Sequence, residues 1–201
     1  MNDQELFWKG EFGDEYVDRN NGADFVAAKI DMFTKALNAA GPLDNVIELG
    51  ANRGLNADAL KMILPKIHYT GIEIGKKAYS LLAKNKNVDD CHLSSIHDFS
   101  TDKKYDIALI SGVMIHLNPE TLPSVYSLLA NLSNRYVLIS EYYNPTPVEI
   151  SYRGHSGKLF KRDFAKEFMD ETDYKLIDYG FVYRNDPKFN HDDMTWFLFE
   201  K

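Results

Sequence analysis

The sequence predicts an α/β domain, a mostly parallel sheet with helices on both faces. Three observations carry this: short apolar strands alternate with helical segments, a glycine-bearing turn follows the first strand, and two β-rich segments close the chain without a helix between them. Alternating strands and helices require right-handed crossovers. Ligands in such sheets sit outside the carboxyl ends of the strands, near the switch point.

Taken in order, Val26, Ile30, Phe33 and Leu37 recur at helical spacing between Gly22 and Ala40, with Gly41-Pro42 as a stop signal. Asn45 to Leu49 reads as a buried strand, and Leu55 to Leu64 as a helix closed by Pro65. His68 to Glu73 has strand character and Lys77 to Ala83 helical spacing; a weaker strand is expected over Asp90 to Leu93. Tyr105 to Ile110 is a continuous apolar strand, followed by a helix from about Pro119 to Leu132, whose proline suits a first turn. Tyr136 to Ser140 is the fifth strand. After a polar stretch from Asn144 to Gly157 comes a helix near Arg162 to Glu171, then Tyr174 to Tyr183 and Thr195 to Glu200, expected to pair antiparallel.

Composition restricts the function classes. With 201 residues, 44% hydrophobic and 26% charged, the chain is of single-domain size, globular and neither fibrous nor disordered. No apolar run is long enough to span a membrane, and the acidic start is unlike a signal peptide, so a cytoplasmic protein without membrane association is expected. The single Cys91, expected in the core, excludes an internal disulfide and a thiolate zinc cage. His191-Asp192-Asp193 reads as a hairpin turn, and no metal is expected. The excess of 30 acidic over 23 basic residues, net charge -7, disfavours nucleic acid as a partner.

The chemistry-bearing motif is Glu48-Leu49-Gly50-Ala51-Asn52-Arg53-Gly54, between the first strand and the next helix, where glycines let the backbone turn sharply. A dinucleotide dehydrogenase would carry G-x-G-x-x-G here; Asn52 stands at its second glycine, which argues against close pyrophosphate contact. Glu73 ends the second strand, where a carboxylate accepts hydrogen bonds from ribose hydroxyls.

The segments E-L-G-A-N-R-G-L-N, G-I-E-I-G and Y-D-I-A-L-I-S-G-V-M-I-H-L resemble the glycine motif, ribose acid and fourth strand of class I S-adenosyl-L-methionine-dependent methyltransferases, from Asn45 to about Glu141. The flanks F-W-K-G-E-F-G-D-E-Y-V-D-R-N, E-Y-Y-N-P-T-P and D-D-M-T-W-F are similar to the pseudaminic acid biosynthesis-associated methylases. That resemblance implies a Rossmann-like class I methyltransferase fold: a seven-stranded, mostly parallel sheet with an antiparallel C-terminal hairpin. It also implies S-adenosyl-L-methionine as cofactor and a single domain over 1–201, with an N-terminal lid at 1–21 and a substrate-binding insertion at 144–162. The methionine half would be lined by Glu48, Gly50, Asn52 and Gly54, the ribose held by Glu73, and the adenine met near Ser95 and Ile96, where many members place an acid. Ser111 and Arg19 complete the expected cofactor contacts.

His116, after the fourth strand, is the candidate general base with a pKa near 6.5; a structural hydrogen bond at the helix start is the other reading. Tyr143 is the second candidate catalytic residue, a positioning side chain. Tyr142 and Asn144 are expected at the substrate, with loop packing as the alternative for Tyr142. Arg153, His155 and Lys158 lie in a run free of Asp and Glu, either a solvated face or a site for a carboxylate or phosphate. Trp8, Phe12, Tyr16 and Arg19 form either a water-excluding lid or a segment packed on the sheet edge. Glu48, inside an apolar strand, needs a ligand or a structural partner. The expected activity is methyl transfer to oxygen or nitrogen of a small anionic sugar or sugar nucleotide in nonulosonate biosynthesis; a homodimer is left open. The alternatives are a non-catalytic nucleotide- or partner-binding protein of this fold, and a dinucleotide enzyme, which Asn52 disfavours.

Overall fold

The computed structural model describes residues 2–19 and 22–201; Met1, Asn20 and Asn21 of the expected lid lie outside the described residues. Two helices open the chain, α1 (Asp3–Lys9) and α2 (Glu11–Arg19), so the N-terminal segment is a helical pair rather than an extended strap. An Asn2–Glu5 capping box starts the first. The order continues α3 (Ala23–Ala36), β1 (Asn45–Leu49), α4 (Leu55–Ile63), β2 (His68–Glu73), α5 (Lys76–Leu82), β3 (Asp90–Leu93) and β4 (Tyr105–Ser111). Then come α6 (Leu122–Leu132), β5 (Ser133–Glu141), β6 (Val148–Glu149), β7 (Phe160–Lys161), α7 (Phe164–Glu171), β8 (Lys175–Val182) and β9 (Met194–Glu200).

The seven-stranded sheet has the order β3-β2-β1-β4-β5-β9-β8. Only β9 runs against the rest: it pairs antiparallel with both β5 and β8, while β1, β2, β3, β4 and β5 pair parallel. The expected C-terminal hairpin is therefore present, and its last strand is inserted between β5 and β8. The central strands are buried on both faces by two apolar clusters, which is why they read as unbroken Val, Ile and Leu runs. Edge strand β8 alternates exposed and half-buried residues.

Several boundaries shift. The first core helix stops at Ala36 rather than Ala40, where Leu37 and Ala40 bend back as turns. Pro119–Thr121 forms a short 3-10 turn before α6, and the fifth strand is longer than Tyr136 to Ser140. Asp163 accepts from the Lys166 N–H and starts α7 one residue inside the expected range. The polar insertion carries its own small ladder, β6 against β7. Cys91 is half-buried on β3 and not in the core, because β3 is the sheet edge.

Candidate functional site

Strand order reverses between β1 and β4, and the turns leaving these two strands meet at that point. Gly50 (φ 79°) and Gly54 (φ 88°) adopt left-handed backbone, and a Cβ on Gly50 would lie 2.5 Å from a Val113 methyl in the turn after β4. Asn52, at φ 49°, is the one non-glycine residue of this turn in the same region. Its backbone N–H donates to Glu73 Oε2 at 2.7 Å, and the Gly75 N–H donates to Oε1 at 2.7 Å. Glu73 is thus pinned at the turn, with the Ile74 N–H as a third backbone donor, which leaves a carboxylate's fourth acceptor position. Burial raises its pKa against the opposing effect of these N–H donors. The Oδ1 of Asn52 is buried without a partner among the described residues. Gly50, Asn52, Gly54 and Glu73, predicted together, are brought together.

Other expected cofactor contacts are redirected. Glu48 accepts from Asn56 Nδ2 at 2.5 Å and from the Tyr69 hydroxyl, and burial lifts its pKa to about 7, so its carboxyl belongs to the wall beneath the turn. Both oxygens thus have the structural partners that the second reading of Glu48 requires. Ser95 donates its hydroxyl to Glu5 of α1, and Ile96 packs on the core. Arg19 pairs with Glu15 at 3.2 Å and lies 5.5 Å from the Phe12 ring centroid, which holds it on the lid's own surface. Ser111 ends β4, half-buried, at the mouth of the crevice.

Glu5 was not anticipated. Burial opposes its ionisation, but hydrogen bonds from the Ser95 hydroxyl and the Asn2 N–H hold its pKa below the usual carboxyl value. The signal for it was the Asn-x-x-Glu capping box. Glu141 was quoted only as part of a motif, yet its Oε1 accepts from the N–H groups of Val113 and Met114, each at 2.9 Å, and so fixes the turn after β4. Burial nevertheless raises its pKa to about 7.

That turn carries His116, 7% exposed. Its Nδ1 faces the Lys158 carbonyl at 2.7 Å. A carbonyl only accepts, so Nδ1 carries the proton and Nε2 is the unprotonated nitrogen. Burial lowers the pKa to about 4, against the raising effect of the Lys158 bond, which corrects the expected value near 6.5. The structural hydrogen bond of the second reading is thus made by Nδ1, and Nε2 is left with its lone pair.

The N-terminal segment expected as a lid or as edge packing lies against the turn that carries His116. The Trp8 ring sits 4.5 Å from His116, with Tyr16 at 5.2 Å and Phe12 at 5.5 Å, over the carboxyl end of the sheet. Tyr152, overlooked in the sequence, lies 5.0 Å from His116 and 6.5 Å from Trp8, so the three rings form one cluster. The lid is tied down by Lys77 to Asp18 at 2.7 Å, Gln4 to the Gly157 carbonyl at 3.2 Å and Lys158 to the Asp3 carbonyl at 3.2 Å.

Tyr143 is corrected most. It bridges to Arg162, packs 6.3 Å from Phe197 and is 43% exposed. Tyr142 hydrogen-bonds Asp192 and takes Lys161 over its ring at 5.2 Å; burial raises its pKa first, and Asp192 adds to the rise. Asn144 is half-buried and donates to the Thr146 carbonyl. The basic run is not a single anion site. Lys158 lies 5.1 Å from the Phe7 ring centroid, His155 packs on Phe7 and Phe12, and Arg162 pairs with Glu167 at 2.8 Å. Arg153 is exposed at a left-handed turn between Tyr152 and His155. Beyond Tyr142, Asp192 also faces Lys29 of α3 and Tyr16 of the lid, so the expected hairpin turn contributes to the site.

No family model and no curated protein sequence matches this chain. Solved structures do. Magnesium protoporphyrin IX methyltransferase from Synechocystis PCC 6803, with bound SAM, superposes with a TM-score of 0.70 at 15% identity over 100% of this chain and 98% of that one. The 1,6-didemethyltoxoflavin-N1-methyltransferase of Burkholderia thailandensis, with 1,6-didemethyltoxoflavin and S-adenosylhomocysteine bound, gives 0.70 at 14% over 98% and 86%. TehB from Haemophilus influenzae gives 0.63 at 19% over 98% and 67%. At these identities the likeness is one of architecture: the chain has the Rossmann-like fold of class I methyltransferases.

Proposed function

We propose that the protein is an S-adenosyl-L-methionine-dependent methyltransferase whose acceptor is a small anionic sugar or sugar nucleotide, in nonulosonate biosynthesis of the pseudaminic acid type. The observation that carries the cofactor reading is Glu73, held by the Asn52 and Gly75 N–H groups with acceptor capacity to spare at a left-handed turn on the switch point. The orphaned Asn52 Oδ1 beside it is the acceptor that a ligand hydroxyl or ammonium would satisfy. Solved structures of the same fold are described with SAM or S-adenosylhomocysteine bound. The sugar assignment rests on the resemblance of the flanking segments.

Bound there, the cofactor supplies an electrophilic methyl on a sulfonium. The chain's own task is then orientation and water exclusion, which the lid of Trp8, Phe12 and Tyr16 is placed to perform. Calorimetry with S-adenosylhomocysteine tests the reading: the parent protein binds, and Glu73→Ala loses at least tenfold in affinity. Unchanged affinity in Glu73→Ala overturns the ribose role. Incubating UDP- and CMP-activated sugars with labelled methyl donor, read by mass spectrometry, tests the acceptor class.

A further inference from the structure

We infer that Trp8 and His116 together clamp the methyl acceptor, and that the acceptor atom is a hydroxyl oxygen rather than an amine nitrogen. This rests on the methyltransferase reading above. The Trp8 Nε1–H is buried and has no partner among the described residues. An indole N–H is a donor only, and left dry and unpaired it costs the desolvation of a polar group. Its ring centroid lies 4.5 Å from that of His116, at an interplanar angle of 54°, so the two side chains are direct neighbours. His116 has Nδ1 committed to the Lys158 carbonyl, so Nε2 offers only a lone pair.

A group that satisfies both must accept from Trp8 and donate to His116. Lone-pair counting separates the candidates. A neutral amine has one lone pair; given to Trp8, none is left to attack a methyl group. An ammonium has none at all. A hydroxyl oxygen has two, one for the Trp8 N–H and one to form the O–CH3 bond. The S–CH3 bond breaks with its electron pair retained by sulfur, which leaves a neutral thioether, and the hydroxyl proton passes to His116 Nε2. Charge developing on oxygen before that proton has gone strengthens the Trp8 hydrogen bond, so the clamp favours the transition state over the ground state.

Trp8→Phe deletes the N–H and keeps a ring for packing. Calorimetry comes first: S-adenosylhomocysteine should bind Trp8→Phe and the parent alike, whereas loss of binding in the parent itself would sink the methyltransferase reading and not this one alone. Next, 15N-labelled protein saturated with S-adenosylhomocysteine is titrated with glycerol, a polyol without nitrogen. The indole N–H resonance of Trp8, assigned by its absence in Trp8→Phe, should shift saturably while that of Trp196 stays; no saturable shift overturns the clamp. Finally, with a 13C-methyl donor and UDP- and CMP-activated sugars, the product should carry an O-methyl group. Trp8→Phe should lose about tenfold in kcat/KM, the size of one hydrogen bond. An N-methyl product, or a Trp8→Phe variant with parental kcat/KM, overturns the inference.

Discussion

The floor and the roof of the crevice are built from different materials. The floor, from Gly50 to Gly54 with Glu73, is shaped by backbone: left-handed residues, main-chain N–H groups and a carboxylate two short bonds deep. The roof, α1 and α2 with Tyr152, is shaped by rings and by side chains tied to main-chain carbonyls across the chain. Backbone geometry is rigid and tolerates few residues, while ring packing is adjustable. A scaffold of this kind can keep one ligand on the floor while the roof is remade for different acceptors.

Two glycines break this comparison most directly, because neither has room for a Cβ. At Gly50 an alanine meets the Val113 methyl at 2.5 Å and is strained at φ 79°. Gly50→Ala should therefore cost about 2–4 kcal/mol of global stability and abolish S-adenosylhomocysteine binding, checked by denaturant melts and calorimetry. At Gly13 a Cβ would lie 1.8 Å from the Trp8 carbonyl, so α1 and α2 must separate. Gly13→Ala should leave the global midpoint nearly unchanged while hydrogen exchange in residues 3–19 speeds up. An equal loss of midpoint in both variants would mean that the roof is part of the cooperative core.

The floor was legible in the sequence and the roof largely was not. Gly50, Asn52, Gly54 and Glu73 are marked by position relative to strands, and parallel strands announce themselves as apolar runs. The neighbours of His116 come from Trp8 and Tyr152, far away on either side in the chain, and no local pattern records that they meet. Tyr142 and Tyr143 show the limit of reading adjacent residues as one unit: successive side chains on extended backbone point opposite ways, so one reached Asp192 and the other Phe197. Glu48 and Ser95 sat where the family pattern placed ligand contacts. Their partners Tyr69 and Glu5, invisible in the local sequence, took them instead.

Titration separates the regions next. On the floor side Glu48 and Glu141 have pKa values raised to about 7, so folding takes up protons there and stability falls as pH rises from the unfolded carboxyl value to about 7. His116 and His191, lowered to about 4, act oppositely: the unfolded chain binds their protons, and stability falls as pH drops from about 6.5 to 4. Between these limits the two effects oppose each other. Removing one imidazole by His116→Phe should tilt the balance by about 1.4 kcal/mol per pH unit, making the variant gain stability relative to the parent as pH falls from 6.5 to 4.5. Parallel stability curves for variant and parent, from urea melts across that range, would refute the burial of His116.

A smaller effect is expected at the latch between roof and floor. Ser95→Ala removes the hydroxyl that Glu5 accepts and so loosens the hold on a buried carboxylate. The cost should be about 1–2 kcal/mol, felt as lid opening rather than unfolding, and limited proteolysis within residues 3–19 should accelerate about tenfold. Unaltered cleavage would place the holding force in the rings.

The smallest effect concerns Lys77, whose ammonium meets Asp18 at 2.7 Å with both side chains well exposed, 41% and 65%. Water and salt screen such a pair, and two long side chains lose freedom to make it, so Lys77→Ala should change the melting midpoint by no more than about 0.5 kcal/mol. Lys77 also reaches the Asp14 carbonyl at 3.3 Å, so the same substitution removes two tethers of α2 at once. If rings and the Glu5–Ser95 latch hold the roof, cleavage of Lys77→Ala stays within twofold of the parent. A larger acceleration, reproduced in the parent by raising salt, would assign the lid to electrostatics and reverse the contrast between a backbone floor and a ring-packed roof.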